Sequence, residues 1–186
     1  MITKHAPPRY HSALVTLHWL IALLLLTEAL IGLGFHFHRI WAPVQTERQI
    51  HMILGIAILA AVLVRIVVRV LTPTPLPVSA GNRFFDLVGK ATHALLYLLV
   101  VALTGSVVLS AYKADILGDV LGRIALHHGD FDMRLHLLLF LALAAVVGLH
   151  VAAAFYHQIV RRDRLFARMG YGRAAKEGAG EGRPHR

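Results

Sequence analysis

The sequence predicts an all-α integral membrane protein, a four-helix bundle with both termini in the cytoplasm. Hydrophobic residues make up 57% of the chain and charged residues only 16%, whereas a soluble domain carries about 25% charged residues. Four apolar stretches are each long enough to cross a bilayer, which requires about 20 residues. The 186 residues are enough for one compact unit.

The four predicted spans cover residues 13–35, 49–70, 87–112 and 135–160. Leu, Ala, Val and Gly fill these spans and are all compatible with helices in lipid. The first apolar run is too long for a cleaved signal peptide, and no clear small-residue cleavage site follows it. We therefore predict a retained first span. The few polar residues inside the spans are informative, because lipid tolerates them poorly.

These spans define a membrane domain at residues 13–165, which follows a cytoplasmic segment at residues 1–12. The proline-rich loop at residues 72–77 predicts an extended connector between spans two and three. The outer loop at residues 113–134 has room for a short amphipathic segment. The basic tail at residues 166–186 is rich in Gly, Arg and Glu, and we predict that it is disordered.

The charges orient the chain in the membrane. The net charge is +9 with histidines neutral, but the basic residues flank apolar runs, which indicates membrane orientation rather than nucleic-acid binding. Fourteen of the 19 Lys and Arg residues lie on the side of both termini, so the positive-inside rule places the termini in the cytoplasm. The outer loops carry five basic and five acidic residues and are neutral overall.

The residue types present also restrict the chemistry. The chain has no cysteine, which excludes disulfides, zinc–thiolate sites, iron–sulfur clusters and covalently attached c-type haem.

The chain has 13 histidines, which are unusually many for so apolar a sequence. A histidine buried in lipid is costly without a partner, and histidine is a usual axial ligand of haem iron. Six lie in the spans or at their edges: His18, His51, His93, His136, His150 and His157.

Four of these histidines form two pairs at matching depths. His136 and His150 lie 14 residues apart in span four, which puts them on one helix face and about 21 Å apart along the axis. Measured from the flanking basic residues, His150 matches the depth of His18, and His136 matches that of His51. We predict that each pair, His18 with His150 on the inner side and His51 with His136 on the outer side, holds the iron of one b-type haem.

Other uses of intramembrane histidines remain open. They can form polar contacts between helices in a structural bundle, or they can line a metal transport pathway. Metal transport more often recruits carboxylates as well, and the predicted spans offer only Glu28. Four histidines at two matched levels favour haem ligation.

Two further span histidines need separate interpretation. His157 lies two turns beyond His150 on almost the same face, but it is too shallow to match His18, so His150 is the predicted ligand. His93, on the inner side of span three, either replaces His18, bonds a haem propionate or a quinone, or packs between helices. The remaining seven histidines are expected to be solvated, with an outer site as the alternative for four of them: His36, His38, His127 and His128.

The remaining polar span residues have several candidate roles. Arg65 and Arg69 are placed to hold an inner haem propionate, because Arg pairs well with carboxylates; snorkelling to headgroups is the alternative. Glu28, about 15 Å outward from the span-one histidine, relays protons to a quinone, pairs with an outer Arg, or bonds a neighbouring helix while protonated. Tyr112 and Lys113 either meet a quinone or propionate or anchor the helix at the interface.

Six segments together carry a family resemblance: Leu17-His18-Trp19-Leu20, Gln49-Ile50-His51-Met52-Ile53-Leu54-Gly55, Arg65-Ile-Val-Val-Arg69 with Pro73-Thr74-Pro75, His93-Ala-Leu-Leu-Tyr97, His136, and Gly148-Leu149-His150-Val-Ala-Ala-Ala154. Each segment alone is a weak indication of a family. Together, and in this order, the segments resemble the bacterial cytochrome b561 family over roughly residues 8 to 165. That family is also similar to the cytochrome b subunits of nickel–iron hydrogenases and formate dehydrogenases.

The resemblance implies a diheme protein of the bacterial inner membrane, with ligands falling on His18, His51, His136 and His150. It also implies electron exchange with ubiquinone or another quinone. One family member is a superoxide oxidase that reduces ubiquinone, but the neutral outer loops do not by themselves predict attraction of superoxide.

The expected partners are lipid, a quinone, and either a redox donor protein or superoxide, without nucleic acid; a homo-oligomer is left open. The rival functions are superoxide oxidase, membrane anchor of a separate dehydrogenase, and metal transporter.

Overall fold

A computed structural model describes residues 9–37, 44–73, 75, 81–113, 133–163 and 165–170. Within these ranges the chain forms five helices and no strand, so the predicted all-α class is confirmed. The helices are α1 (Ser12–His36), α2 (Val44–Leu71), α3 (Arg83–Lys113), α4 (Met133–Ile159) and α5 (Leu165–Arg168).

The four long helices confirm the four predicted membrane spans. Their apolar, membrane-length parts are Ser12–Gly34, Thr46–Leu71, Arg83–Val108 and Met133–Ile159. α2 and α3 begin several residues before the predicted spans, because a helix can continue beyond the apolar stretch on which that prediction rests. The start of α3 is capped: the Phe84 backbone N–H donates a hydrogen bond to Asn82 Oδ1 at 2.8 Å.

The helices pack in chain order, α1 against α2, α2 against α3, and α3 against α4. One side-chain cluster joins all four: Ile21, Ile58, Val62, Val100, Leu103 and Leu143. Many large apolar side chains face outward instead, among them Leu23, Leu26, Leu30, Leu63, Leu98 and Leu138. Such a surface suits lipid, in which apolar side chains need not be buried against each other.

A short return segment after α4 connects the two ends of the described chain. The Tyr10 N–H donates a hydrogen bond to the Arg168 carbonyl at 3.2 Å. The Phe166 N–H donates to Gln158 Oε1 at 3.2 Å, and the Phe166 ring lies 5.7 Å from the Phe155 ring. Residues 10 and 168 therefore lie at the same end of the bundle.

The structure differs here from the predicted tail boundary at residue 166. Residues 165–168 are helical, and Arg168 is only 5% exposed. The predicted boundary rests on composition, which does not reveal the contact of Phe166 with α4. That contact explains why the helical segment extends past the predicted boundary. The rest of the predicted tail, 171–186, lies outside the described residues. So do residues 1–8, half of the proline-rich connector (74, 76 and 77) and the outer-loop residues 114–132.

Topology can be tested directly, because the chain has no native cysteine. Thr46 and Arg83 are exposed near the starts of α2 and α3, at opposite ends of the bundle. We expect Thr46→Cys to react with a membrane-impermeant maleimide in intact spheroplasts, and Arg83→Cys to react only after the membrane is opened. The reverse labelling pattern would contradict the cytoplasmic placement of both termini.

Candidate functional site

Two histidines from the first and last spans meet near the end of the bundle that carries α5. His18 on α1 and His150 on α4 have ring centroids 6.2 Å apart, with the ring planes at 73°. Both side chains are partly buried. We call these two residues the inner pair, because the sequence predicts that they lie on the inner side of the membrane.

A second pair has nearly the same geometry at the other level. The ring centroids of His51 on α2 and His136 on α4 lie 6.1 Å apart, again with the planes at 73°. We call these residues the outer pair. Because α4 is one continuous helix from Met133 to Ile159, the two pairs are separated by about 21 Å along its axis.

This geometry fits axial ligation of two haems. A metal–imidazole bond of about 2 Å places the centroids of two rings on opposite sides of one metal about 6 Å apart. Both pairs match that separation. Among the described helices, α4 packs closely only with α3 and α5, so the backbones of α1 and α2 stand off from it where the imidazoles meet. The residues therefore fit two b-type haems, each between two histidines.

His93 lies beside the inner pair. Its ring centroid is 5.2 Å from that of His150. Its Nδ1 lies 2.8 Å from the Gly89 carbonyl oxygen, and since a carbonyl only accepts hydrogen bonds, Nδ1 carries the proton. Nε2 is then the nitrogen available to another group. The contact with His150 places His93 at the inner level, and the residue is exposed rather than packed between helices.

Arg65 links three helices at the same level. Its Nε donates a hydrogen bond to the Tyr97 hydroxyl at 3.1 Å, and its Nη1 donates to the Leu14 carbonyl. Leu14 and Tyr97 each lie four residues from an inner-level histidine, His18 and His93, and therefore on the same helix faces. The guanidinium thus lies next to the inner pair. Arg69, one turn further along α2, is exposed.

Glu28 lies beside the outer pair. Its Oε2 is 3.3 Å from His51 Nδ1, and the two side chains are 16% and 26% exposed. Glu28 therefore contacts the neighbouring helix α2 at the outer level. Its depth was the available signal: Glu28 lies about 15 Å outward from His18, about one helical turn short of the outer level.

His157 has a different role from the paired histidines. Its Nδ1 lies 2.7 Å from Asp163 Oδ2, and the Asp163 N–H donates to the His157 carbonyl at 3.1 Å. These contacts close the turn after α4. The structure thus places His150, and not His157, beside His18. The sequence offered one sign of this arrangement, an acid shortly beyond the end of the span.

Several other candidate residues cannot be placed. The side chains of Tyr112, Lys113 and His36 lie outside the described residues, as do His38, His127 and His128.

In the described ranges, no group of three or more His, Cys, Asp or Glu side chains forms a cluster that could hold a metal ion. The described part of the chain therefore gives metal transport no support.

The Arg65 contacts predict a measurable contribution to stability. Tyr97→Phe removes the hydroxyl that accepts from the Arg65 guanidinium, so we expect the free energy of unfolding in detergent to fall by about 1–3 kcal/mol. Tyr156→Phe is the matched control, since Tyr156 is 52% exposed on α4. An equal loss in both variants would show that the Arg65 contact is not responsible.

The chain resembles known proteins over most of its length. A family model described as prokaryotic cytochrome b561 matches residues 9–172. The chain is similar to a probable superoxide oxidase CybB of Yersinia pestis, with 28% identity over 172 residues, 87% of this chain and 95% of the relative.

It is also similar to cytochrome b562 of Cereibacter sphaeroides, with 29% identity over 168 residues, 87% of this chain and 95% of the relative. Cytochrome b561 homolog 2 of Escherichia coli is 26% identical over 180 residues, 91% of this chain and 95% of that protein. Because the family model covers most of the chain, including all four spans, the protein belongs to the prokaryotic cytochrome b561 family, multi-pass bacterial inner-membrane proteins that transfer electrons through haem b.

Proposed function

We propose that this protein is a diheme cytochrome b that transfers electrons across the bacterial inner membrane and exchanges them with a quinone, such as ubiquinone. The observation that carries the proposal is the presence of two histidine pairs, with ring centroids 6.2 and 6.1 Å apart, at two membrane levels. Haem b supplies one-electron redox chemistry when bound, and the protein supplies ligands, burial and tuning.

Each histidine has a defined role in this proposal. His18 and His150 would hold the inner haem between them, and His51 and His136 would hold the outer haem. With a histidine on each side of the haem, the protein would favour electron transfer over binding of oxygen. By supplying one ligand to each pair, α4 fixes both sites on one rigid element.

Other inner-level residues complete the proposed site. The Arg65 guanidinium is held by Tyr97 and Leu14, and its charge suits a haem propionate. Arg69 adds a second positive charge one turn away. His93 keeps Nε2 available for a propionate or a quinone, since Nδ1 is bonded to Gly89.

The direct test is haem quantification with a reduced-minus-oxidised optical spectrum of the purified protein. We expect two b haems per chain in the wild type. Each of the variants His18→Ala, His51→Ala, His136→Ala and His150→Ala should disturb one site and lower the content towards one, because a single histidine leaves that iron without its second axial bond.

His157→Ala is the control for these four variants. It removes a histidine from the same helix as His150, but His157 contacts Asp163, so two haems should remain. A colourless wild-type protein that cannot be reconstituted with haem would refute the proposal. Equal haem loss in the control and the four variants would refute the assigned ligands.

A second candidate function is oxidation of superoxide with reduction of ubiquinone. The observation that favours it is the similarity to a probable superoxide oxidase along 95% of that relative. Purified protein should then reduce ubiquinone with superoxide faster than the protein-free control does. We expect His51→Ala to slow this reaction, because it disrupts the outer pair. A wild-type rate equal to the control would remove this candidate.

A further inference from the structure

Glu28 is unusual among the acidic residues of the described chain, because it lies far from either end of its helix. Glu47 and Asp86 lie in the first turns of α2 and α3, and Asp163 lies beyond the end of α4. A carboxyl group at the depth of Glu28 is costly in lipid unless a polar partner compensates it. The nearest polar partner that the geometry provides is His51.

The contact is made on a defined atom of the ring. Glu28 Oε2 lies 3.3 Å from His51 Nδ1, so Nε2 is the nitrogen left to face a metal. Small residues surround the contact: an added Cβ at Gly55 would lie 3.4 Å from Glu28 Oε1, and one at Gly32 would lie 3.5 Å from His51 Cε1. Both distances are ordinary van der Waals contacts, so the Glu28 and His51 side chains each lie directly against the neighbouring helix.

This arrangement has a known chemical consequence. A metal-bound histidine commonly directs its second ring nitrogen to a carboxylate or a carbonyl, which fixes the tautomer and ring orientation and makes the ligand a stronger donor. A stronger donor stabilises oxidised iron relative to reduced iron. The outer pair has such a carboxyl neighbour, whereas the inner pair has the Arg65 guanidinium nearby, which favours the reduced, less positive metal.

We propose that Glu28 is a positioning residue that orients His51 through Nδ1 and lowers the potential of the outer haem below that of the inner haem. The opposite charges of Glu28 and Arg65 then make electron transfer favourable from the outer to the inner side of the membrane. This inference rests on the proposed diheme function.

The test is a redox titration of the full-length haem-loaded protein, followed by optical and electron paramagnetic resonance spectra. Each step is assigned to the inner or outer haem by its loss in His150→Ala or His136→Ala. Glu28→Gln keeps the size of the side chain but removes its charge. We expect it to raise the outer potential, leave the inner potential unchanged, and shift the low-spin signal of the outer haem.

Two further variants separate positioning from general stability. Glu28→Asp keeps a carboxyl group and should give an outer potential between those of the wild type and Glu28→Gln. Thr27→Val is the matched control on the adjacent exposed position and should change neither step. If Glu28→Gln loses the outer haem, its retention in Glu28→Asp and Thr27→Val would support the proposal, and its loss in all three would overturn it.

Two results would overturn the inference while the diheme function stands: an unchanged outer potential in Glu28→Gln with both haems retained, or a wild-type outer potential equal to or above the inner one. Failure of the proposed function would look different. The wild-type protein would then contain fewer than two haems, whatever the behaviour of the Glu28 variants.

Discussion

The arrangement depends on one constraint, the cost of placing an imidazole in lipid without a partner. α4 presents two histidines on one face, about four helical turns apart. Each is met by a histidine from a different helix, with centroid separations of 6.2 and 6.1 Å. Because α1 and α2 supply these partners without packing directly on α4 among the described residues, the positions of three helices are coupled at two levels.

The charged side chains inside the bundle follow the same rule, and they differ between the two levels. The guanidinium of Arg65 is held by a hydroxyl from α3 and a carbonyl from α1. The carboxyl group of Glu28 meets an imidazole from α2. Each of these two side chains therefore also joins neighbouring helices. The outer pair therefore has a carboxyl group as a neighbour, and the inner pair has a guanidinium.

The spans and the two pairings could be predicted because both depend on depth, and depth is readable from residue spacing and flanking charges. The same arithmetic places Glu28 near the outer level, but it does not show which way a side chain turns, so the contact of Glu28 with His51 was not predicted. Contacts that form where the chain turns back on the bundle could not be predicted from depth. The His157–Asp163 contact and the docking of Phe166 on α4 depend on a turn that hydropathy does not describe.

Because α4 contributes a histidine to both pairs, it also determines when each pair can form during biosynthesis. The ribosome makes α1 and α2 first, so His18 and His51 enter the membrane before the histidines of α4. Neither can meet its partner until the last span has been inserted. Under the proposed ligation, neither haem site can be completed before α4 has entered the membrane. During synthesis, the contact of Glu28 with α2 forms between neighbouring spans and can hold His51 in place before α4 arrives.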